Sequence, residues 1–111
     1  MTNISKYDVV VVKFPFASSI KYKARPAVII SSDKYNTNKR NTLLIMAISS
    51  SRENKLDFEE DVEYWKDAGL LKPSIFKSAI ATIEKEHIIT KIGHLPDKDI
   101  GRLSILINAI C

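Results

Sequence analysis

Arg25 is the residue whose type and position most strongly suggest chemistry in this sequence. It stands directly before Pro26 in "KARPAVIISS" (23–32), where an apolar run begins. A guanidinium is planar, permanently charged and able to bind two phosphoryl oxygens at once, and a strand backbone would hold it in a fixed position. The alternative interpretation of Arg25 is a surface ion pair with a neighbouring acidic residue. Such a pair contributes little to the stability of the fold.

Ser49 is the second candidate, because it ends another apolar run, "TLLIMAIS" (42–49). Consecutive strands with short connections tend to pair. We therefore expect the start of the first run, at Arg25, to lie beside the end of the second run, at Ser49. A fixed cation beside a hydroxyl donor can stabilise a phosphorane without a metal ion. A hydrogen bond within a turn is the other interpretation of Ser49.

The elements that position these residues are short β-branched and apolar runs, which predict a mainly β structure. Segment 62–74 is irregular in pattern, with Gly69 and Pro73 as breaks. The predicted strands are Asp8–Phe14, 26–31, Thr42–Ser49, an exposed alternating strand in "KLDFEED" (55–61), and "SIFKS" with "AIATI" (74–83) as two short strands or one bent strand.

The final part of the chain has a helical period. Pro96 is expected as the first helical residue, and acidic side chains in the first turn favour the positive end of the helix dipole. The apolar face consists of Ile100, Leu103, Leu106, Ile107 and Ile110. Many short strands and one terminal helix predict a small half-open barrel whose open side the helix covers, as a single domain over residues 1–111.

The composition of the chain indicates a single small domain without disulfides. The chain has 111 residues of which 45% are hydrophobic, enough for one core, and its one cysteine, Cys111, excludes an internal disulfide or a cysteine metal cluster. It contains neither an apolar stretch of about eighteen residues nor a secretory leader pattern. We therefore expect a cytoplasmic protein that does not enter a membrane.

Charge is unevenly distributed along the chain. Residues 1–55 contain ten Lys or Arg against three Asp or Glu, a net +7, whereas residues 56–111 have a net −3, which gives the formal +4 of the whole chain. Lys13, Lys21 and Lys23 fall in the basic half with Tyr22 and Tyr35. Lysines attract phosphates and tyrosines can stack on unpaired bases, although a lysine-rich solvated surface has the same composition.

Other chemistries find little support in the sequence. His87 and His94 do not belong to a spaced metal-ligand set, and the acidic run in 57–63 is typical of a solvated face. The sequence has neither a glycine-rich phosphate loop nor a G-x-S-x-G motif. No metal site and no cofactor are predicted.

Five segments, in this order, resemble one known family. They are "YDVVVVKFPF", "KARPAVIISSDKYN", "LIMAISSS", "WKDAGLLKPSIFKSAIATIEKEHI" and "KIGHLPDKDIGRLSILI". Each motif alone is weak, but the ordered set, with Arg-Pro at the start of the second strand and a hydroxyl residue at the end of the third, is specific. The chain resembles the MazF/PemK (Kid) family of toxin endoribonucleases.

The resemblance implies an SH3-like barrel, similar to that of the gyrase poison CcdB, that forms a homodimer. It implies cleavage of single-stranded RNA without metal and inhibition by an antitoxin with an acidic, disordered tail. The family's catalytic arginine falls on Arg25 and its catalytic threonine on Ser49, while Lys77 matches a basic position near the RNA more loosely. Tyr7 stands where relatives commonly have glycine, so a different turn is expected before the first strand.

The hypothesis from these residues is a toxin that cuts RNA by attack of its own 2′-OH, with Lys13, Lys21, Lys23 and Lys77 binding RNA. Loops 21–23 and 50–54 are expected to govern the recognition sequence. Two alternatives remain: a CcdB-like toxin that binds a protein target such as gyrase, and a non-catalytic barrel that acts only with its antitoxin.

Overall fold

The computed structural model describes residues 4–14, 23–50 and 57–111, and within these ranges the chain forms a curled antiparallel sheet and one α-helix. The elements are β1 (Asp8–Phe14), β2 (Lys23–Ile29), β3 (Thr42–Ser49), β4 (Glu60–Val62), β5 (Ser74–Glu84), β6 (Ile88–His94) and α1 (Asp97–Ile110), with 3₁₀ turns at Tyr35–Thr37 and Lys85–His87. The sheet order is β4-β5-β3-β2-β1-β6. This half-barrel with a C-terminal helix confirms the predicted fold class.

The continuous apolar character of β1 has a direct structural cause, because both faces of this strand are buried. Val9 packs in the core on the helix side of the sheet, whereas Val10 and Val12 pack in a second cluster with Ile29 and Ile45. Side chains alternate between faces along a strand, so a strand buried on both sides needs no polar positions.

The helix α1 covers the first of these clusters. All five positions of the predicted apolar face pack there, and Leu103 is fully buried. Pro96 is the N-cap with extended backbone, at φ −63° and ψ 156°, rather than the first helical residue as predicted. Asp99 is fully buried and accepts hydrogen bonds from the backbone N–H groups of Glu63 and Tyr64, each at 2.9 Å, so the helix is attached to the segment after β4.

The strand bounds differ from the prediction in four places. β2 begins three residues earlier and ends two residues earlier than predicted, and β4 is limited to Glu60–Val62, with positions 55 and 56 of the predicted strand outside the described residues. β5 is one strand, and its register against β3 shifts between Met46 and Ile48, as a bulge requires. β6 was not predicted, because "IITKIGH" is short and its side chains are only half-buried or exposed.

Tyr7 stands directly before β1, where a turn different from a glycine turn is expected from the sequence. Its φ of 72° lies in the left-handed region that glycine favours, so the chain keeps a glycine-like turn despite the side chain. Its backbone N–H donates to Ile29 O at 2.7 Å, its carbonyl accepts from Leu95 N at 3.0 Å, and its hydroxyl lies 3.2 Å from Ser104 Oγ. These contacts join the start of β1 to β2, to the end of β6 and to α1.

Candidate active-site pocket

A pocket of about 670 Å³ lies where β2, the end of β3, the segment before β5 and β6 come together. Arg25 and Ser49 both line it, so the structure brings the two predicted catalytic side chains to one site. The other lining residues are Val11, Ala24, Pro26, Ile48, Ser50, Gly69, Leu70, Leu71, Lys72, Ser74 and Ile92.

Strand register explains why Arg25 and Ser49 meet. β2 and β3 are antiparallel with Ala27 opposite Ala47, and continuing that register by two residues brings Arg25 opposite Ser49. Arg25 is the third residue of β2 and pairs with Val12 of β1, so its backbone is held inside the strand rather than at its beginning. Its side chain is exposed and that of Ser49 is half-buried.

The opposite wall of the pocket comes from residues 69–72, which the sequence analysis had treated as irregular. Residues 64–68 form one helical turn that ends in a Schellman motif: Leu70 N–H donates to Trp65 O at 2.9 Å, and Gly69 N–H donates to Lys66 O at 3.1 Å. Gly69 has a φ of 91°, the left-handed conformation that this motif requires. An Ala-Gly pair between Trp65 and Leu70 is the sequence signal that could have revealed the turn.

This wall is mostly apolar. Leu70 is buried, whereas Leu71 is 92% exposed and thus presents nearly its whole side chain to solvent. Lys72 is exposed beside it, and Ile92 of β6 continues the apolar surface. The pocket therefore combines the guanidinium of Arg25 and the hydroxyl of Ser49 on one side with an apolar face and the ammonium group of Lys72 on the other.

The predicted RNA-binding lysines do not join this lining within the described residues. Lys13 is half-buried in β1 opposite Ala24. Lys77, in β5, lies 3.5 Å from Glu59 in an ion pair. Lys21 falls outside the described residues, as does the side chain of Lys23. Lys72, which the sequence analysis did not select, is the lysine that lines the pocket.

A group of possible metal ligands lies at the opposite end of β3 from the pocket, where Thr42 pairs with Glu84. Glu84, Glu86 and His87 place ligand atoms within 4.8 Å of one another, a set that sequence spacing did not single out. A hydrogen bond with Glu86 and the negative charge of that carboxylate raise the pKa of Glu84 above its usual 4.5. None of the three lines the pocket.

The other histidine, His94, makes a structural contact. Its Nδ1 lies 2.7 Å from Oδ1 of buried Asp8. The other carboxylate oxygen, Oδ2, accepts from the backbone N–H of Ser5 at 2.7 Å and lies 3.3 Å from Lys91 Nζ. Asp8 is 1% exposed, so these partners compensate the cost of burying its charge. These contacts of Asp8 with Lys91 and His94 join β6 to the beginning of β1.

Comparison with known proteins agrees with this architecture. The family model described as "PemK-like, MazF-like toxin of type II toxin-antitoxin system" matches residues 5–110, and the chain belongs to this family. No curated protein sequence matches the chain significantly. Within the described residues, α1 is too short to cross a membrane.

Solved structures of several toxins share the fold. MazF (Form-I) from Deinococcus radiodurans is 13% identical with a TM-score of 0.76, over 99% of this chain and 97% of that one. Mycobacterium tuberculosis toxin MazF-mt6 is 21% identical with a TM-score of 0.70, over 92% and 93%. An endoribonuclease in complex with its cognate antitoxin from a mycobacterial species is 12% identical with a TM-score of 0.73, over 98% and 93%.

Proposed function

We propose that this protein is a toxin that cuts single-stranded RNA as a metal-independent, sequence-specific endoribonuclease. The observation that carries the proposal is that Arg25 and Ser49 line one pocket. Membership of the PemK-like, MazF-like toxin family supports it, as does the structural likeness to a mycobacterial endoribonuclease.

In the proposed reaction, the 2′-OH of one nucleotide attacks the adjacent phosphorus as its proton is removed. The bond from phosphorus to the 5′ oxygen then breaks, and that oxygen takes up a proton. The products are a 2′,3′-cyclic phosphate and a 5′-hydroxyl. DNA lacks the 2′-OH nucleophile and is therefore expected to bind without being cut.

Arg25 and Ser49 act on the charge that develops during this step. The guanidinium of Arg25 neutralises the phosphorane, and the hydroxyl of Ser49 donates a hydrogen bond to a non-bridging oxygen. Donors placed in this way each contribute about 3 kcal/mol of transition-state stabilisation. Leu70, Leu71 and Ile92 add an apolar surface to the same pocket.

The proposal includes partners. The basic first half of the chain suits a polyanion, either RNA or the acidic tail of a cognate antitoxin that competes with it. Solved relatives include toxins in complex with their antitoxins, and we expect this chain to bind one and to form a homodimer in the cytoplasm. We expect no cofactor.

Incubation of the purified protein with single-stranded RNA in EDTA tests the proposal. We expect cleavage in the presence of the chelator, 2′,3′-cyclic phosphate ends, and loss of cleavage in Arg25→Ala. Arg40→Ala, which removes an exposed arginine of the same basic half outside the pocket lining, is the matched control and should retain activity.

Intact RNA with folded wild-type protein would overturn the nuclease proposal. Growth arrest by such a protein would point to a protein target, and the absence of both effects would point to a barrel that acts only with its antitoxin. If Arg25→Ala still cleaves RNA, the protein is a nuclease but Arg25 is not part of its active site.

A further inference from the structure

Two glycines, Gly69 and Gly93, form a close backbone contact beside the pocket. A Cβ added to Gly69 would lie 2.1 Å from Ile92 O and 2.7 Å from Ile92 C. A Cβ added to Gly93 would lie 2.1 Å from Ala68 O and 2.6 Å from Ala68 C. The helical turn before β5 therefore rests directly on β6, backbone against backbone.

This contact cannot accept a side chain without movement of one of the two elements. The atoms in the way are backbone carbonyl groups, which cannot rotate aside as the end of a flexible side chain can. Ile92 is the extra residue of a β-bulge, since Val9 pairs with Gly93 while Val10 pairs with Lys91, so the strand bends at this contact. Any larger residue must push the turn away from β6.

The residues that follow this contact form a wall of the pocket. Leu70, Leu71 and Lys72 come directly after Gly69, and Ile92 precedes Gly93, so both sides of the contact contribute to the lining. Arg25 and Ser49 are placed independently, by the pairing of Arg25 with Val12 of β1 and of Ser49 with Ile75 of β5. The contact between the glycines thus sets the distance between the apolar wall and the two polar residues.

We infer that Gly69 and Gly93 are positioning residues, and that the wall they place, with Leu71 at its exposed edge, selects the base beside the scissile phosphate. A base enters the pocket only if the wall leaves room for its ring, and an apolar edge discriminates between bases by shape and by the polar groups left without partners. This inference rests on the proposed nuclease function.

The first test substitutes Gly93 and measures which sequences are cut. Gly93→Ala isolates the steric effect, because Gly69, unlike Gly93, has a positive φ that would add backbone strain. Gly101→Ala is the matched control, since a Cβ at Gly101 meets nothing within 4 Å. With a pool of random single-stranded RNA and sequencing of the ends, we expect Gly93→Ala to shift the preference beside the cut and Gly101→Ala to retain it.

A second variant covers the case in which Gly93→Ala does not fold. Leu71→Ser removes an exposed leucine that contributes little to the core, so its thermal unfolding should match wild type. We expect its preference beside the cut to change by about tenfold in kcat/KM between the best and next-best sequences. Ile105→Ser, at a 73% exposed position of α1 outside the lining, is the matched control and should change neither property.

The outcomes separate the inference from the function on which it rests. Wild-type protein that is folded but does not cut RNA overturns the proposed function. Active wild type with the same cleavage preference in Leu71→Ser, and in Gly93→Ala if it folds, overturns the inference alone. A changed preference in Leu71→Ser, and in Gly93→Ala if it folds, with both controls unchanged, supports the inference. A folded Gly93→Ala that keeps the wild-type preference overturns the positioning role of the glycines.

Discussion

The two sides of the pocket are built in different ways. Arg25 and Ser49 stand on neighbouring strands, and each is held in a ladder, Arg25 opposite Val12 of β1 and Ser49 opposite Ile75 of β5. Leu71 and Lys72 stand on a short segment whose position depends on a single helical turn and on the contact between Gly69 and β6. The reacting groups thus depend on the hydrogen-bonded ladder, and the shape of the opposite wall depends on one close backbone approach.

The comparison shows how one small fold can separate chemistry from selectivity. The ladder tolerates substitution at exposed positions because backbone hydrogen bonds maintain it. The wall tolerates few substitutions at Gly69, where backbone atoms meet, but should tolerate substitutions at the exposed Leu71. Variants that affect one side should therefore leave the other side largely intact.

The largest expected effect is at Ser49, on the ladder side. Ser49→Ala removes the proposed donor to the non-bridging oxygen, and we expect cleavage to fall by about 100- to 1000-fold in kcat. Ser49→Thr retains the hydroxyl and restricts its rotamers, so it should keep most of the activity. Single-turnover cleavage of one RNA sequence measures both. Equal activity in Ser49→Ala and wild type would remove Ser49 from the mechanism.

On the wall side, the strongest structural attachment is Asp99. Asp99→Ala removes the buried carboxylate that accepts from the backbone N–H groups of Glu63 and Tyr64, and we expect a loss of about 2 kcal/mol in the free energy of unfolding. Asp97→Ala removes an exposed acid of the same helical turn and should cost about 0.5 kcal/mol. Urea denaturation checks both. Similar losses in the two variants would contradict the role of the buried hydrogen bonds.

A smaller effect is expected at Lys77, which lies outside both sides of the pocket. If it contacts an RNA phosphate as predicted, Lys77→Ala should lower RNA affinity severalfold and reduce the slope of log affinity against log salt by about 0.7. Lys85→Ala, at the β5–β6 turn, should leave that slope unchanged. Fluorescence anisotropy with a labelled oligonucleotide at several salt concentrations measures it. An unchanged slope in Lys77→Ala would mean that the ion pair with Glu59 is its only role.

The smallest expected effect is at the opposite end of the sheet. The pKa of Glu84 is raised in the folded protein by Glu86, so its contribution to stability is present below the ordinary glutamate pKa and is lost as the pH rises through the raised value. Glu86→Gln removes the repulsion and should increase the melting temperature slightly at pH 7 and not at pH 4. Asp67→Asn, an exposed acid in the turn before the wall, is the control. A larger increase in the melting temperature of Glu86→Gln at pH 4 than at pH 7 would contradict the conclusion that Glu86 raises the pKa of Glu84.

The sequence predicted the parts that depend on periodicity. β1 and β3 have the predicted bounds, and the apolar face of α1 packs as expected, because burial imposes alternation in strands and a 3.6-residue repeat in helices. The meeting of Arg25 with Ser49 in one pocket follows from the same regularity, since neighbouring strands keep their register.

The parts that the sequence did not predict depend on contacts between distant residues. β6 pairs with β1, about eighty residues away, and no local pattern reveals that partner. The wall at 69–72 has a local signal in the Gly69 cap, but its place beside Arg25 follows from the approach of Gly69 to Ile92. Lys72 was missed for the same reason, because its role depends on where the turn lies.

The position of β1 next to the edge strand β6 has a consequence for synthesis. This strand lies between β2 and β6, and the core on its Val9 face is closed by Leu103 of α1. A nascent chain that ends before β6 therefore leaves an edge of β1 unpaired and lacks Ile92 of the pocket, however long it remains on the ribosome. Both β6 and α1 must be synthesised before the protein can fold completely.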